Sequence, residues 1–447
     1  MLCINEVDMK KLSVKIVCIV LLACVLTLAF FGCGKKDKNN TYTAYAVSQA
    51  SFPQMTKFSE NNYSEWRNDR NRQIDQPAGY KDGMERFFSS SASMFLSGED
   101  ANELYAPLSL YFALAMLAET AKGETRTQIL NVLGAENVET LRQKVNSAWN
   151  ANYVDDGTVT SLMANSLWLN ESCGFDKNVC DLLANDYYAS TFRGKMGEEK
   201  FNEALRGWLN AMTKNFLKDY VNDEKFSGST LFALVSAIYF NARWEAQFSE
   251  LDTRKEPFYL ANGSEKQADF MHNGFRGAYY YADKFSAVDL SFRNAGSMSI
   301  ILPDEGVTPH ELLSDATAQN LMYGDRSDVG VSYLNVNISL PKFDVSGKTD
   351  LKKGLKALGM TSAFDADEAD FTRLTGNTPA YVSDVLQAVR VKTDEEGCEA
   401  AAYTIVYAEN TAMPIEETVN FVVNRPFIFV VNGIDGLPLF MGIVGNP

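Results

Sequence analysis

Residues 395–426 read EEGCEAAAYTIVYAENTAMPIEETVNFVVNRP, and the first half of this stretch decides how the rest of the chain is understood. In an extended strand successive side chains point to opposite faces, so Cys398, Ala400, Ala402, Thr404, Val406 and Ala408 share one face. All six are small or β-branched, which suits close packing against a buried surface. The other face carries Glu399, Ala401, Tyr403, Ile405, Tyr407 and Glu409, an amphipathic set that fits solvent or a covering helix. Gly397 and the three successive alanines weaken strand propensity, and Glu395, Glu396 and Glu399 suit an exposed, mobile hinge. A segment with loop character at one end and a buried-strand pattern throughout is expected to occupy both states at different times.

The run Glu395-Glu396-Gly397-Cys398-Glu399-Ala400-Ala401-Ala402-Tyr403-Thr404, followed by Asn424-Arg425-Pro426-Phe427, resembles the hinge and reactive-centre loop of the serpins. Other blocks similar to that family stand in the expected order. Residues 102–109 with Ala113-Leu114-Ala115-Met116-Leu117 look like its buried helix, and Gly123-Glu124-Thr125 follows. Residues 235–244 (VSAIYFNARW) with Phe248 look like the central strand of its large sheet. Residues 297–303 (SMSIILP), 336–343 (VNISLPKF), 351–364 and Ala369-Asp370-Phe371 complete the series, so the resemblance covers residues 79–447.

The resemblance implies an α+β fold, with a large central sheet that accepts the reactive-centre loop as an extra strand, two smaller sheets and about eight to nine helices. It also implies a suicide-substrate inhibitor of serine endopeptidases, with cysteine endopeptidases as a further target class, rather than an enzyme. The alternative is a non-inhibitory serpin acting as a surface binding module. The apolar runs at 231–240 and 381–393 would be neighbouring strands of the large sheet, with the hinge continuing from the second. A loop entering between them gains hydrogen bonds on both edges. At about 0.5–1.5 kcal/mol net per bond, plus burial of the small-residue face, roughly a dozen residues would release on the order of 10 kcal/mol or more. That is comparable to the whole stability of an ordinary domain.

Counting from Glu395 by the family's usual spacing places the reactive bond at Thr411-Ala412. Counting back from Phe421 gives Ile415-Glu416, so the bond is bounded between Ala408 and Ile415. No Lys or Arg lies between Gly397 and Asn424. The expected target is therefore elastase-like, subtilisin-like or papain-like rather than trypsin-like. By the same resemblance, Ala106, Ser109, Ser236 and Gln387 occupy the polar cluster that controls sheet opening, and Trp244 sits where the loop first enters. Cys398 takes the place of the first side chain to enter the sheet.

The 447 residues, 46% of them hydrophobic, can bury a large core as one big domain or two ordinary ones. A formal charge of −16 argues against nucleic acid and anionic membrane surfaces as partners. A monomer is expected. Ahead of the folded part, Met9-Lys10-Lys11, an apolar run at 16–31 and Gly32-Cys33 form a bacterial lipoprotein signal over residues 1–33, with Cys33 lipidated. Leu21-Leu22-Ala23-Cys24 also fits the local pattern, and an uncleaved anchor helix is the alternative. The protein then belongs on the extracellular face of a bacterial membrane, touching it through the lipid alone, or is secreted. Residues 34–78 are rich in Asn, Ser, Thr and Gln without sustained period and read as a polar tether, although Phe52-Pro53 and residues 63–66 offer docking points.

Metal and catalytic chemistry find little support. There are two histidines, His272 and His310, and His310-Glu311-Leu312-Leu313-Ser314 lacks the second histidine of a zinc-binding HExxH. The acidic run at 365–370 lacks the glycine and distal glutamate of a calcium loop. No cofactor or metal is expected. Cys173 and Cys180 remain open to a disulfide or to two buried thiols.

Overall fold

A computed structural model of the chain describes residues 41–98, 102–383, 385–398 and 417–447. The strands in chain order are β1 (Ala46–Ser48), β2 (Asn102–Tyr105), β3 (Val154–Asp155), β4 (Thr160–Asn170), β5 (Ala189–Gly194), β6 (Phe232–Arg243), β7 (Arg254–Tyr259), β8 (Glu265–Tyr281), β9 (Phe285–Ser291) and β10 (Ser297–Pro303). They continue with β11 (Gly330–Pro341), β12 (Phe343–Asp350), β13 (Leu386–Thr393), β14 (Gly397–Cys398), β15 (Thr418–Val422), β16 (Phe427–Asn432) and β17 (Pro438–Val444). The helices are α1 (Tyr63–Ile74), α2 (Met84–Phe95), α3 (Pro107–Thr120), α4 (Gly123–Val132), α5 (Val138–Asn152), α6 (Lys177–Asp186), α7 (Glu199–Met212), α8 (Pro309–Leu312), α9 (Ala316–Met322), α10 (Lys352–Ala357) and α11 (Thr372–Thr375).

The architecture is α+β, as expected, on two hydrogen-bonded sheets. The first runs β1-β5-β4-β6-β14-β13-β12 with β3 attached to β4. The second runs β15-β11-β8-β9-β10-β16-β17-β2 with β7 attached to β8. The two smaller sheets of the expectation run into one another here, because the long strand β8 pairs with β7 and β11 along its length and with β9 at its end. Against an expected eight to nine helices, α1 and the one-turn helices α8 and α11 make up the difference.

The apolar run of β4 is buried on both faces, and the near-continuous hydrophobicity of such a strand follows from having no wet side. One face meets α3, which is buried all round except at Ala113 and is correspondingly apolar on every side. The other face forms a second core with α7, in which Trp168 packs against Phe192, Phe201 and Trp208.

The expected tether needs correction over its described part. Tyr42 and Tyr45 pack edge-on against Phe192 and Phe201, and β1 extends the first sheet beyond β5. Phe52 stacks on Trp149 and Tyr153. Trp66 is buried and donates its indole N–H to Asp156 at 2.9 Å, with the Arg70 guanidinium 3.8 Å from the same carboxylate. Of the alternatives offered by the sequence, docking at Phe52 and at residues 63–66 is what these residues do. The polar composition conceals a few widely spaced aromatic anchors, and composition averages do not register them. Residues 1–33 and Cys33 lie outside the described residues.

Candidate functional site at the loop hinge

β13 ends at Thr393, and the chain then reverses within four residues. Asp394 makes this possible: its carboxylate accepts the backbone N–H groups of Glu396 and Gly397, and its own N–H donates to the Gly397 carbonyl. A short Asp side chain bonding its own backbone two residues on is a turn-forming device. The returning strand β14 pairs antiparallel with both neighbours, Cys398 standing opposite Thr393 of β13 and Ala242 of β6. β6 and β13 are therefore parallel to each other. Among the described residues no ladder joins them directly, so the hinge occupies the space between two separated strands.

Only glycine fits at the entry. A Cβ on Gly397 would lie 2.1 Å from the Ala242 carbonyl oxygen and 2.8 Å from the Arg243 Cα. Cys398 is buried, and its thiol side shares a face with Ala242 and Thr393, both also buried. Above the entry, Trp244 stacks on Phe292 with ring centroids 4.7 Å apart. Its indole N–H donates to the Asp394 carbonyl at 2.9 Å, and its backbone N–H donates to the Glu396 carbonyl at 2.9 Å. The tryptophan expected at the point of entry thus holds the turn from both its ends.

The reading of Glu395 as an exposed hinge residue is corrected. Its side chain is buried and accepts from Thr253 Oγ1 at 2.7 Å and from Lys342 Nζ at 2.7 Å. Burial raises its pKa, but the Lys342 and Thr253 hydrogen bonds outweigh it and hold the carboxyl below its ordinary value. Glu396 is half-buried and faces the Arg243 guanidinium at 4.0 Å. Thr253 and Lys342 escaped notice as site residues because they lie 142 and 53 residues from Glu395 in sequence.

Below the entry lies the expected polar cluster, and its members do converge. Gln387 of β13 accepts from the Ala106 N–H at 2.7 Å and donates to the Ala106 carbonyl at 3.0 Å. Ala106 is the N-terminal flanking residue of α3, so its N–H has no intrahelical partner, while its carbonyl also accepts the Leu110 N–H at 3.1 Å. Ser109 of α3 donates to Ser236 of β6 at 2.9 Å, and Ser236 donates onward to Asn165 Oδ1 of β4 at 2.8 Å. Asn165 closes the relay by donating to the Tyr187 carbonyl at 3.1 Å. One buried helix is thereby tied to both strands that flank the hinge. Asn165 was not singled out from sequence, although an asparagine inside the apolar run 161–170 was the available signal.

Register places the two ties at one level. Cys398 faces Ala242 and Thr393, and Ser236 and Gln387 each lie six residues further along their parallel strands. An even spacing keeps them on the face that Cys398 presents. Residues Glu399, Ala400, Ala401, Ala402, Thr404, Thr411 and Ala412 lie outside the described residues.

Residues 85–447 match the family model described as Serpin (serine protease inhibitor). The chain belongs to the serpin family. It is 30% identical over 375 residues to neuroserpin of Mus musculus, covering 78% of this chain and 87% of that protein. It is 28% identical over 363 residues to Serpin-Z1C of Triticum aestivum, covering 78% and 90%. Among solved structures, the thermophilic serpin tengpin in its native state superposes with a TM-score of 0.74 at 23% identity, covering 90% of this chain and all of that one. Serpin48 of Tenebrio molitor gives a TM-score of 0.71 at 26% identity, over 83% and 99%. This serpin thus shares the fold of a family made up mostly of protease inhibitors.

Elsewhere among the described residues, no group of His, Cys, Asp or Glu could hold a metal ion. His310 pairs with Glu103 at 2.6 Å, and Glu103 is buried. Cys173 and Cys180 are buried free thiols, and burial pushes the Cys180 thiol up to about 11.

Proposed function

We propose that this serpin is a suicide-substrate inhibitor of endopeptidases with uncharged specificity, acting by insertion of its cleaved loop between β6 and β13. The observation that carries the reading is the Gly397–Cys398 strand, paired with both neighbours at the mouth of the space it would fill. Continued in register, Thr404 reaches the level of Ser236 and Gln387, and the small-residue face of 398–408 turns toward α3. No larger side chain stands on that face to oppose it.

The chemistry belongs to the protease. Its serine or cysteine nucleophile attacks the carbonyl carbon of Thr411, the bond to the Ala412 nitrogen breaks, and the new amine takes the proton from the nucleophile. The acyl group stays on the protease. The freed end of the loop can then zip into the sheet and carry the protease with it, before water reaches the ester or thioester. The absence of Lys and Arg from residues 398–423 directs the bait to elastase-like, subtilisin-like or papain-like enzymes. Cys33 would anchor the protein by its lipid to the outer face of a bacterial membrane, and the protein would act as a monomer.

Incubation with pancreatic elastase, subtilisin or papain tests this. A protease–serpin band surviving SDS, with mass spectrometry placing the new C-terminus at Thr411, is expected. Cleavage of the loop without any such band would leave a binding module.

A further inference from the structure

We propose that Arg390 of β13 is a positioning residue for loop insertion: it clasps the strap that follows α7 across the space between β6 and β13, and this clasp restrains the intact protein. The proposal rests on the loop-insertion reading above. The strap is residues 213–220, which leave the end of α7 and cross the first sheet. Phe216 sets its ring against Tyr239 of β6, with centroids 5.8 Å apart. Arg390 meets it from the other lip. Its guanidinium carbon lies 4.6 Å from the Phe216 ring centre and 5.3 Å from that of Tyr220, and its Nη1 donates to the Phe216 carbonyl at 3.1 Å. Its Nε and Nη2 donate to the two carboxylate oxygens of Asp344 on β12 at 2.8 and 2.7 Å, so the fork is fixed and its remaining edge is aimed at the strap. A flat cation over aromatic rings adds attraction to the hydrogen bond.

The clasp lies on the path of the entering strand. Cys398 stands opposite Ala242 and Thr393, and Tyr239 and Arg390 each lie three residues from those partners along their parallel strands. They are therefore level with one another, and the odd spacing puts them on the face opposite to the one Cys398 presents. That face is the α7 side, since Ala237, two residues from Tyr239, belongs to the core that holds Phe201 and Trp208. A strand continuing from Cys398 brings residue 401 beneath Phe216. The strap cannot be bypassed: it is continuous with α7 at one end and with β6 at the other, and the opposite face of the sheet is filled by α3. An acylated protease of about 220 residues, about 40 Å wide, cannot thread beneath it through the ~10 Å that one extra strand occupies. Arg390 must let go each time a protease is carried past. The strap is also strained, because Lys214 and Asn215 hold left-handed φ values of 48° and 65°, which residues other than glycine rarely adopt.

The clasp thus acts against insertion, from the other side of the sheet and by other chemistry than the ties at Gln387 and Ser236. Opening it is a step common to insertion after cleavage and to unprompted insertion of the uncut loop. Loosening it hastens both.

The test uses the full chain with Arg390→Ala, Arg390→Lys, Phe216→Leu and the double change Arg390→Ala with Phe216→Leu, each held just below the melting temperature of the fresh protein. Arg390→Ala and Phe216→Leu should each pass about fivefold or more faster than the parent into a monomer that survives heating above that temperature, the mark of an inserted loop. Lysine keeps the charge but loses the fork and the flat stack, so Arg390→Lys should fall between Arg390→Ala and the parent. The double variant should convert no faster than the faster single one, because both changes remove one contact. Stoichiometry of inhibition with pancreatic elastase, subtilisin or papain should not rise in any of them. Parent-like conversion in both single variants overturns the clasp. A product that aggregates instead of resisting heat also overturns it, since the residues then only support the fold. Rates that multiply in the double variant, or a stoichiometry that rises, overturn it as well, the first by separating the two side chains and the second by making the strap a guide. A parent that forms no SDS-stable complex removes the inhibitory reading alone, and conversion to the heat-resistant form still decides the clasp.

Discussion

Replacing Gln387 by Ala tests the tie between α3 and β13 most sharply. In the native protein the Gln387 amide satisfies both the N–H and the C=O of Ala106, and all of these groups are buried. Truncation leaves the Ala106 N–H without a partner at the start of a helix that has no side-chain cap of its own, while the Ala106 carbonyl keeps the Leu110 N–H at 3.1 Å. An orphaned buried N–H costs about 1–3 kcal/mol, and the second bond lost by the carbonyl adds about 0.5 kcal/mol, for an expected sum of about 1.5–3.5 kcal/mol. Unfolding a body of about 370 residues carries an entropy of roughly 0.8 kcal/mol per kelvin, so the melting temperature should fall by about 2–4 °C. Because the lost tie is on one lip of the space that the hinge enters, the variant should also lose inhibitory activity faster on standing below its melting temperature, as its intact loop inserts unprompted. Scanning calorimetry and timed activity assays read the two effects. A Gln387→Ala protein that melts within a degree of the parent and keeps its activity equally long would show that the amide bridges to Ala106 hold nothing.

Other substitutions probe the entry and the N-terminal segment. Gly397→Val places methyl groups where the Ala242 carbonyl already sits within van der Waals contact, so the loop should still be cleaved but insert too slowly; the stoichiometry of inhibition should rise several-fold, and an unchanged stoichiometry would contradict the close fit. Lys342→Ala removes the cation that helps hold the Glu395 carboxyl below its ordinary pKa and should destabilise the protein by about 1–2 kcal/mol at pH 7, the modest figure reflecting a lysine that is 38% exposed. Since the folded-state pKa of Glu395 is depressed, its stabilisation is fully present above the ordinary glutamate pKa and is lost as pH falls through the lower folded value. Urea titrations should therefore show the gap between parent and Lys342→Ala closing in acid, and a gap that widens there would reverse the assignment. Trp66→Ala should cost about 3–5 kcal/mol and open residues 41–78 to limited proteolysis, against no change if that segment is merely draped on the body.

How much of this was legible in the sequence depends on the range over which each feature acts. The glycine at the entry was readable because steric size is local, and the structure pairs Gly397 and Cys398 with both neighbouring strands; the alternation beyond Cys398 falls outside the described residues. The buried helix was legible through the resemblance of residues 102–109 and 113–117, and the structure buries α3 on nearly every side. Glu395 misled because glutamate defaults to solvent, and its burial is set by Lys342 and Thr253, which only the fold brings near. In the N-terminal segment Phe52 and residues 63–66 were legible as docking points, whereas Tyr42 and Tyr45 follow no period and find their sites only in the fold. The cluster of Ala106, Ser109, Ser236 and Gln387 came from family resemblance alone, since a backbone contact such as that of Ala106 leaves no mark on residue type.

The account stands or falls on whether the loop is more stable inside the sheet than outside it. Calorimetry of the protein before and after a single cut within residues 408–415 measures this directly. Insertion worth on the order of 10 kcal/mol should raise the melting temperature by about 10 °C or more; a nicked protein that melts with the intact one contradicts it.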